Sequence, residues 1–83
     1  MQIRVRLFAL LRDRAGKSDI NLNLEAGANA STAILQIAEQ SPALKDLLPK
    51  AAIAVNREYV KPDHVLNDGD ELALIPPVSG GIR

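Results

Sequence analysis

Two short stretches of strict alternation, set close together near the N-terminus, constrain this chain more than any other feature. Ile3, Val5 and Leu7 alternate with Gln2, Arg4 and Arg6, and Ile20, Leu22 and Leu24 alternate with Asp19, Asn21, Asn23 and Glu25. A period of two marks strands with one buried and one wet face. The phase puts all six aliphatic residues on a single buried face, and the short connection makes the pair a hairpin. Within that connection, Leu10 to Ala15 reads as a helical turn closed by Gly16, which accepts a positive φ.

After the break at Glu25–Asn29 the pattern changes to residues that suit a helix, from Ala30 to Gln40. Asn29 or Ser31 can cap its start, and Ser41-Pro42 stops it because the residue before proline is pushed out of the helical region. Ala30, Ala33, Ile34, Ile37 and Ala38 form one apolar stripe, so the helix is expected to lie across the sheet. Leu44, Leu47 and Leu48 suggest a further short turn. Ile53 and Val55 begin a short strand, Asn56-Arg57 offers a tight turn into Glu58–Val60, and Glu71–Ile75 is the last strand with Leu72 and Leu74 facing inward. The first and last strands are expected to pair in parallel through a crossover containing the helix. The fold class is α+β: a ubiquitin-like β-grasp, with a mixed sheet, one main helix across one face, and an extended C-terminal arm. Residues 1–75 make the domain and residues 76–83 the tail.

Composition removes several kinds of chemistry. The chain of 83 residues has no Cys and one His, which excludes a thiolate metal site, a disulfide framework and a cysteine nucleophile. Ten basic and ten acidic residues cancel, which argues against a nucleic-acid partner held by phosphate contacts. No apolar run approaches the roughly 18 residues of a membrane span, and no signal peptide precedes the first strand, so a cytoplasmic domain without a membrane partner is expected. The zero net charge hides an asymmetry: residues 1–17 carry a net charge of +4 and residues 58–71 one of −4. If these segments lie side by side they attract each other; if apart, they polarise the molecule toward a complementary partner.

The last strand runs directly into Pro76-Pro77-Val78-Ser79-Gly80-Gly81, followed by Ile82-Arg83. Two prolines fix φ and remove two amide donors, so sheet pairing stops and the chain leaves as a stiff arm. The nearly bare Ser79-Gly80-Gly81 that follows can thread a narrow channel. Residues 5–16 (VRLFALLRDRAG), 54–60 (AVNREYV) and 68–81 (DGDELALIPPVSGG) resemble the family of small, sulfur-carrying subunits of molybdopterin synthase. The resemblance runs in order over nearly the whole chain. It implies a carrier that binds no cofactor itself. A ubiquitin-activating-like enzyme would use ATP to adenylate the carboxylate of Gly81. A persulfide sulfur would then convert that carboxylate to a thiocarboxylate. The loaded arm would enter the large subunit of the synthase and donate sulfur to cyclic pyranopterin monophosphate, building the dithiolene of the molybdenum cofactor.

In this scheme Gly81 reacts, and Gly80, Ser79, Val78, Pro77 and Pro76 position it. The resemblance also implies a hetero-oligomer, a heterotetramer of two small and two large subunits. Two other readings share the fold and the arm: a carrier for another sulfur pathway such as the thiamine type, and a ubiquitin-like protein modifier. Ile82 and Arg83 depart from the family, whose reacting carboxylate belongs to the second glycine. They are expected to be an encoded extension removed by a protease or an artefact of expression.

Strand phase also isolates a small apolar group. Phe8 continues the face of Arg4 and Arg6, while Ala73 and Ile75 face away from the helix. If the first and last strands are neighbours, these three form a patch at the base of the arm, and such a patch reads as a docking surface. The resemblance points the same way, to an interface shared by the activating enzyme and the large subunit. His64 reads as an exposed loop residue and Tyr59 as a half-buried strand residue, neither with a chemical role.

Overall fold

A computed structural model describes residues 1–77. The chain order is β1 (Gln2–Leu7), α1 (Ala9–Ala15), β2 (Asp19–Asn23), α2 (Ala30–Gln40), two 3₁₀ turns (Pro42–Leu44 and Leu48–Lys50), β3 (Ala52–Val55), β4 (Glu58–Tyr59) and β5 (Glu71–Ile75). The strands form one sheet in the order β2-β1-β5-β3-β4. The β1–β5 pair is parallel, while β1–β2, β3–β5 and β3–β4 are antiparallel. This is the mixed, ubiquitin-like β-grasp sheet expected from the alternation pattern.

Alternation sorts the sheet into two faces. Ile3, Val5, Leu7, Ile20, Leu22, Leu24, Ile53, Val55, Leu72 and Leu74 all face one core with Ala30, Ala33 and Ile37 of α2. The helix stripe is narrower than its sequence suggests, for Ile34 and Ala38 are only half-buried at its margins. Ala30, Ala33 and Ile37 are the buried residues of α2, so one thin line of the helix is fully covered. Leu11 and Leu66 also reach the core, from α1 and from the loop before β5, although no periodicity marks them.

Helix ends are satisfied locally. Asn29 Oδ1 accepts from the Thr32 amide at 2.9 Å, while the Ala30 and Ser31 amides donate to the carbonyls of His64 and Pro62, both at 2.9 Å. The loop after β4 therefore supplies acceptors for amides that a helix start leaves unpaired. Gly16 closes α1 at φ +76° and gives the Arg12 carbonyl its donor.

The two oppositely charged segments do lie side by side, because β1 and β5 are neighbours. Arg6 sits 3.7 Å from Glu71 and 3.9 Å from Asp19. At these distances, with Arg6 and Asp19 exposed and Glu71 half-buried, the pairs contribute little to stability.

A better-connected polar group was not legible from pattern. Asp70 is 8% exposed and accepts from the Asn56 side-chain amide at 2.9 Å and from the Asn67 backbone amide at 2.8 Å. Asn56 in turn accepts from the Glu71 amide at 3.0 Å and donates its own backbone amide to the Glu71 carbonyl at 2.8 Å. The β3–β4 turn is thus tied to the start of β5. Asp70→Ala strands these donors and should cost about 1–3 kcal/mol. For a domain this small the expected fall in melting temperature is at least about 5 °C. Melting followed by circular dichroism checks it, and an unchanged midpoint would show that the network stabilises nothing.

Among the described residues, three non-glycine positions have positive φ: Ala9 at +49°, Asn56 at +49° and Arg57 at +73°. The left-handed region costs an ordinary residue roughly 1–2 kcal/mol, less for Asn. Among the described residues, no helix is long and apolar enough to cross a membrane.

Candidate functional site

The sheet face opposite α2 carries a hollow whose shape follows from strand register. Arg6 is level with Ala73, Ala73 with Ala54, and Ala54 with Tyr59, so one row crosses four strands. Two alanines in the middle of that row, between larger residues, leave a depression. Its volume is about 230 Å³, and Phe8, Ile75 and Tyr59 line it together with the alanines. Ala54 is buried to 6% exposure although it faces away from the core, because its neighbours on the open face cover it.

Phe8 lies just past β1, at the N-cap position of α1, with extended backbone at φ −120° and ψ 154°. Extended geometry carries the strand phase one residue further and keeps the ring on the open face. The backbone then turns sharply at Ala9, where φ is +49°, so a strained position follows the ring directly. Phe8 is 36% exposed, and the Arg6 guanidinium lies 5.4 Å from its ring centroid, within cation–π range.

The structure brings Phe8, Ala73 and Ile75 to one depression, at the end of β5 where Pro76 and Pro77 begin the arm. Pro76 is half-buried and Pro77 exposed. Val78, Ser79, Gly80 and Gly81, together with Ile82 and Arg83, lie outside the described residues. Tyr59 differs from expectation: the short β4 is the edge strand among the described residues, so the ring is 76% exposed and not half-buried. Ala54, Arg57, Tyr59 and Glu71 also line the depression, and the sequence reading did not assign them to it. The signal was present in the hairpin: a tight turn at 56–57 places Tyr59 opposite Ala54, which fixes both on the outer face.

Residues 5–81 match the ThiS family. The chain belongs to that family. The matching ThiS segment contains both the depression and the Gly80-Gly81 end of the arm. A relative of full length is the molybdopterin synthase sulfur carrier subunit of Chlamydomonas reinhardtii, 42% identical over 83 residues, spanning 98% of this chain and 100% of that one. Among solved structures, SAMP1 of Haloferax volcanii superposes with a TM-score of 0.88 at 29% identity, covering 98% of this chain and 100% of the other. A protein–protein complex of subunits 1 and 2 of the molybdopterin-converting factor from Helicobacter pylori contains a similar chain. There the TM-score is 0.69 and the identity 29%, with 98% and 100% of the two chains covered. ThiS-family membership and the β-grasp sheet agree.

Proposed function

We propose that this chain is the sulfur carrier subunit of a molybdopterin synthase. The observation that carries the reading is similarity along the entire length of a sulfur carrier subunit, in a chain that holds Pro-Pro-Val-Ser-Gly-Gly where its last strand ends. The side chains around the depression are apolar or arginine apart from Glu71 and the Tyr59 phenol, so what they offer is binding, while acid, base and phosphate-binding groups come from partners. Hydrolysis of the Gly81–Ile82 bond by a protease first frees the Gly81 carboxylate. One of its oxygens then attacks the α-phosphate of ATP on a ubiquitin-activating-like enzyme, and pyrophosphate leaves. A persulfide sulfur attacks the resulting acyl-adenylate and AMP leaves. Cleavage of the remaining sulfur–sulfur bond by a thiol of the donor system gives the thiocarboxylate. ATP is consumed by that partner, and the covalent thiocarboxylate is the only group the carrier itself bears. These steps fit the cytoplasm.

The loaded arm then enters the large subunit, where its sulfur attacks cyclic pyranopterin monophosphate and displaces an oxygen substituent. Water then cleaves the acyl–sulfur bond, which leaves sulfur on the pterin and returns Gly81 as a carboxylate. Two loaded carriers supply the two dithiolene sulfurs. Pro76 and Pro77 lack the amide donors that would continue the sheet, and Val78, Ser79 and Gly80 bring little side-chain bulk to a narrow channel. Phe8, Ala73 and Ile75 seat an apolar side chain of the large subunit beside the arm. The pairing is the one named for the Helicobacter pylori complex. The assembly is a heterotetramer of two copies of each subunit.

Reconstitution tests this reading. Thiocarboxylated carrier, large subunit and precursor should yield dithiolene product, and absence of product with an intact thiocarboxylate would remove the assignment. A second reading, a ubiquitin-like protein modifier, is favoured by the likeness to the small archaeal modifier protein of Haloferax volcanii. It predicts isopeptide-linked ladders on cellular proteins, which the carrier reading does not.

Phe8→Arg should weaken binding to the large subunit by roughly thirtyfold or more, as expected when a central aromatic contact is replaced by a charge. The fold should survive, since the ring is outside the core. Titration calorimetry with a native circular dichroism spectrum checks this, and unchanged affinity would remove Phe8 from the interface.

A further inference from the structure

The rim of the depression holds two arginines in opposite circumstances. Arg6 is answered within the molecule: its guanidinium lies over the Phe8 ring and within 4 Å of both Asp19 and Glu71. Arg57, on the other side, is exposed and has no carboxylate within ion-pair distance among the described residues. It lines the same hollow as Arg6.

Arg57 also stands where the backbone disfavours it. Asn56 and Arg57 both have positive φ, as the two central residues of a type I′ hairpin turn do. Asn suits the first of these positions, and Gly is the residue that suits the second. The turn cannot relax, because Asn56 is tied to Asp70 and Glu71 by side-chain hydrogen bonds. A large charged residue kept in a glycine position, beside a binding surface, is where local preference yields to function.

We infer that Arg57 is a specificity-determining residue, which recognises a carboxylate on the large subunit next to the apolar side chain seated in the depression. The inference rests on the docking reading above and adds the chemistry of the partner surface: an apolar knob flanked by Asp or Glu. A guanidinium at the edge of an apolar contact loses part of its water on docking, which strengthens a charge-assisted hydrogen bond. Arg6 is less suited to this part, since Asp19 and Glu71 already lie within ion-pair distance of it. One apolar contact leaves a partner free to rotate about it. A second, charged contact on the β3–β4 turn fixes that rotation, and so fixes the direction in which the arm leaving β5 meets the large subunit.

The experiment titrates Arg57→Glu, Arg57→Gly and Phe8→Arg chains against the purified large subunit at low and high salt, about 50 and 500 mM. Arg57→Glu should bind roughly tenfold more weakly at low salt, with the gap narrowing at high salt. Arg57→Gly should lose several-fold in affinity at low salt while melting no lower than the wild type, since glycine suits the turn. Affinities of both Arg57 variants within about twofold of wild type, with Phe8→Arg weakened, would overturn the role of Arg57 and leave the docking reading standing. A loss in Arg57→Gly that is equal at both salts would overturn it too, because the contact would then be packing and not charge. Wild-type affinity in Phe8→Arg would instead overturn the docking reading itself.

Discussion

A chain ending at Gly81 is expected to support ATP–pyrophosphate exchange with the activating enzyme, whereas the 83-residue chain is expected to support none. Adenylation needs a free carboxylate whose oxygen can attack the α-phosphate. When Ile82 follows, that carbon is an amide carbonyl, which carries no oxygen anion and is a far weaker nucleophile. The two extra residues add bulk as well, since a β-branched Ile and a long Arg follow a segment otherwise made of Ser and Gly. The expected difference is therefore all or none. Equal exchange from a full-length chain, shown by mass to be uncleaved throughout, would remove Gly81 from the reaction.

Leu74→Ala should have the largest effect on the fold. Leu74 is fully buried in β5, level with Leu7 of β1 on one side and Ile53 of β3 on the other. Removing its isobutyl group opens a cavity at the centre of the sheet and should cost about 2–5 kcal/mol. Small domains hold only about 5 kcal/mol or little more, so a large part of the population should be unfolded near body temperature. Urea titration provides the measurement. A midpoint matching the wild type would mean that the inward phase of β5 is misassigned, and with it the outward position of Ala73 and Ile75.

Most of the fold was legible because alternation in an aliphatic chain leaves few choices. Ile3, Val5 and Leu7 fix one face of β1, Leu72 and Leu74 fix the same face of β5, and Phe8, Ala73 and Ile75 fall on the other without further assumption. What escaped was whatever depends on the neighbour across the sheet. Tyr59 looks like a strand residue with a buried side until the strand order makes β4 an edge. Leu66 enters the core from a loop, where no period announces it. Asp70 reads as one more acidic turn residue, and only the approach of Asn56 across the sheet makes it a buried acceptor. Arg57 was legible as a turn residue and not as part of the depression, since its turn had first to be placed beside β5. The arm is the reverse case. Pro76-Pro77 followed by Gly80-Gly81 is plain in the sequence, and its chemistry depends on partners more than on the fold.

The central claim is that this domain presents a C-terminal glycine as a sulfur carrier. The most direct measurement is the intact mass of the Gly81-terminated chain after incubation with the activating enzyme, ATP and a persulfide donor. The account predicts a gain equal to sulfur replacing one oxygen, located at Gly81 by fragmentation and dependent on ATP. A chain that stays at its starting mass, while an authentic carrier is converted by the same enzymes alongside it, would contradict the account.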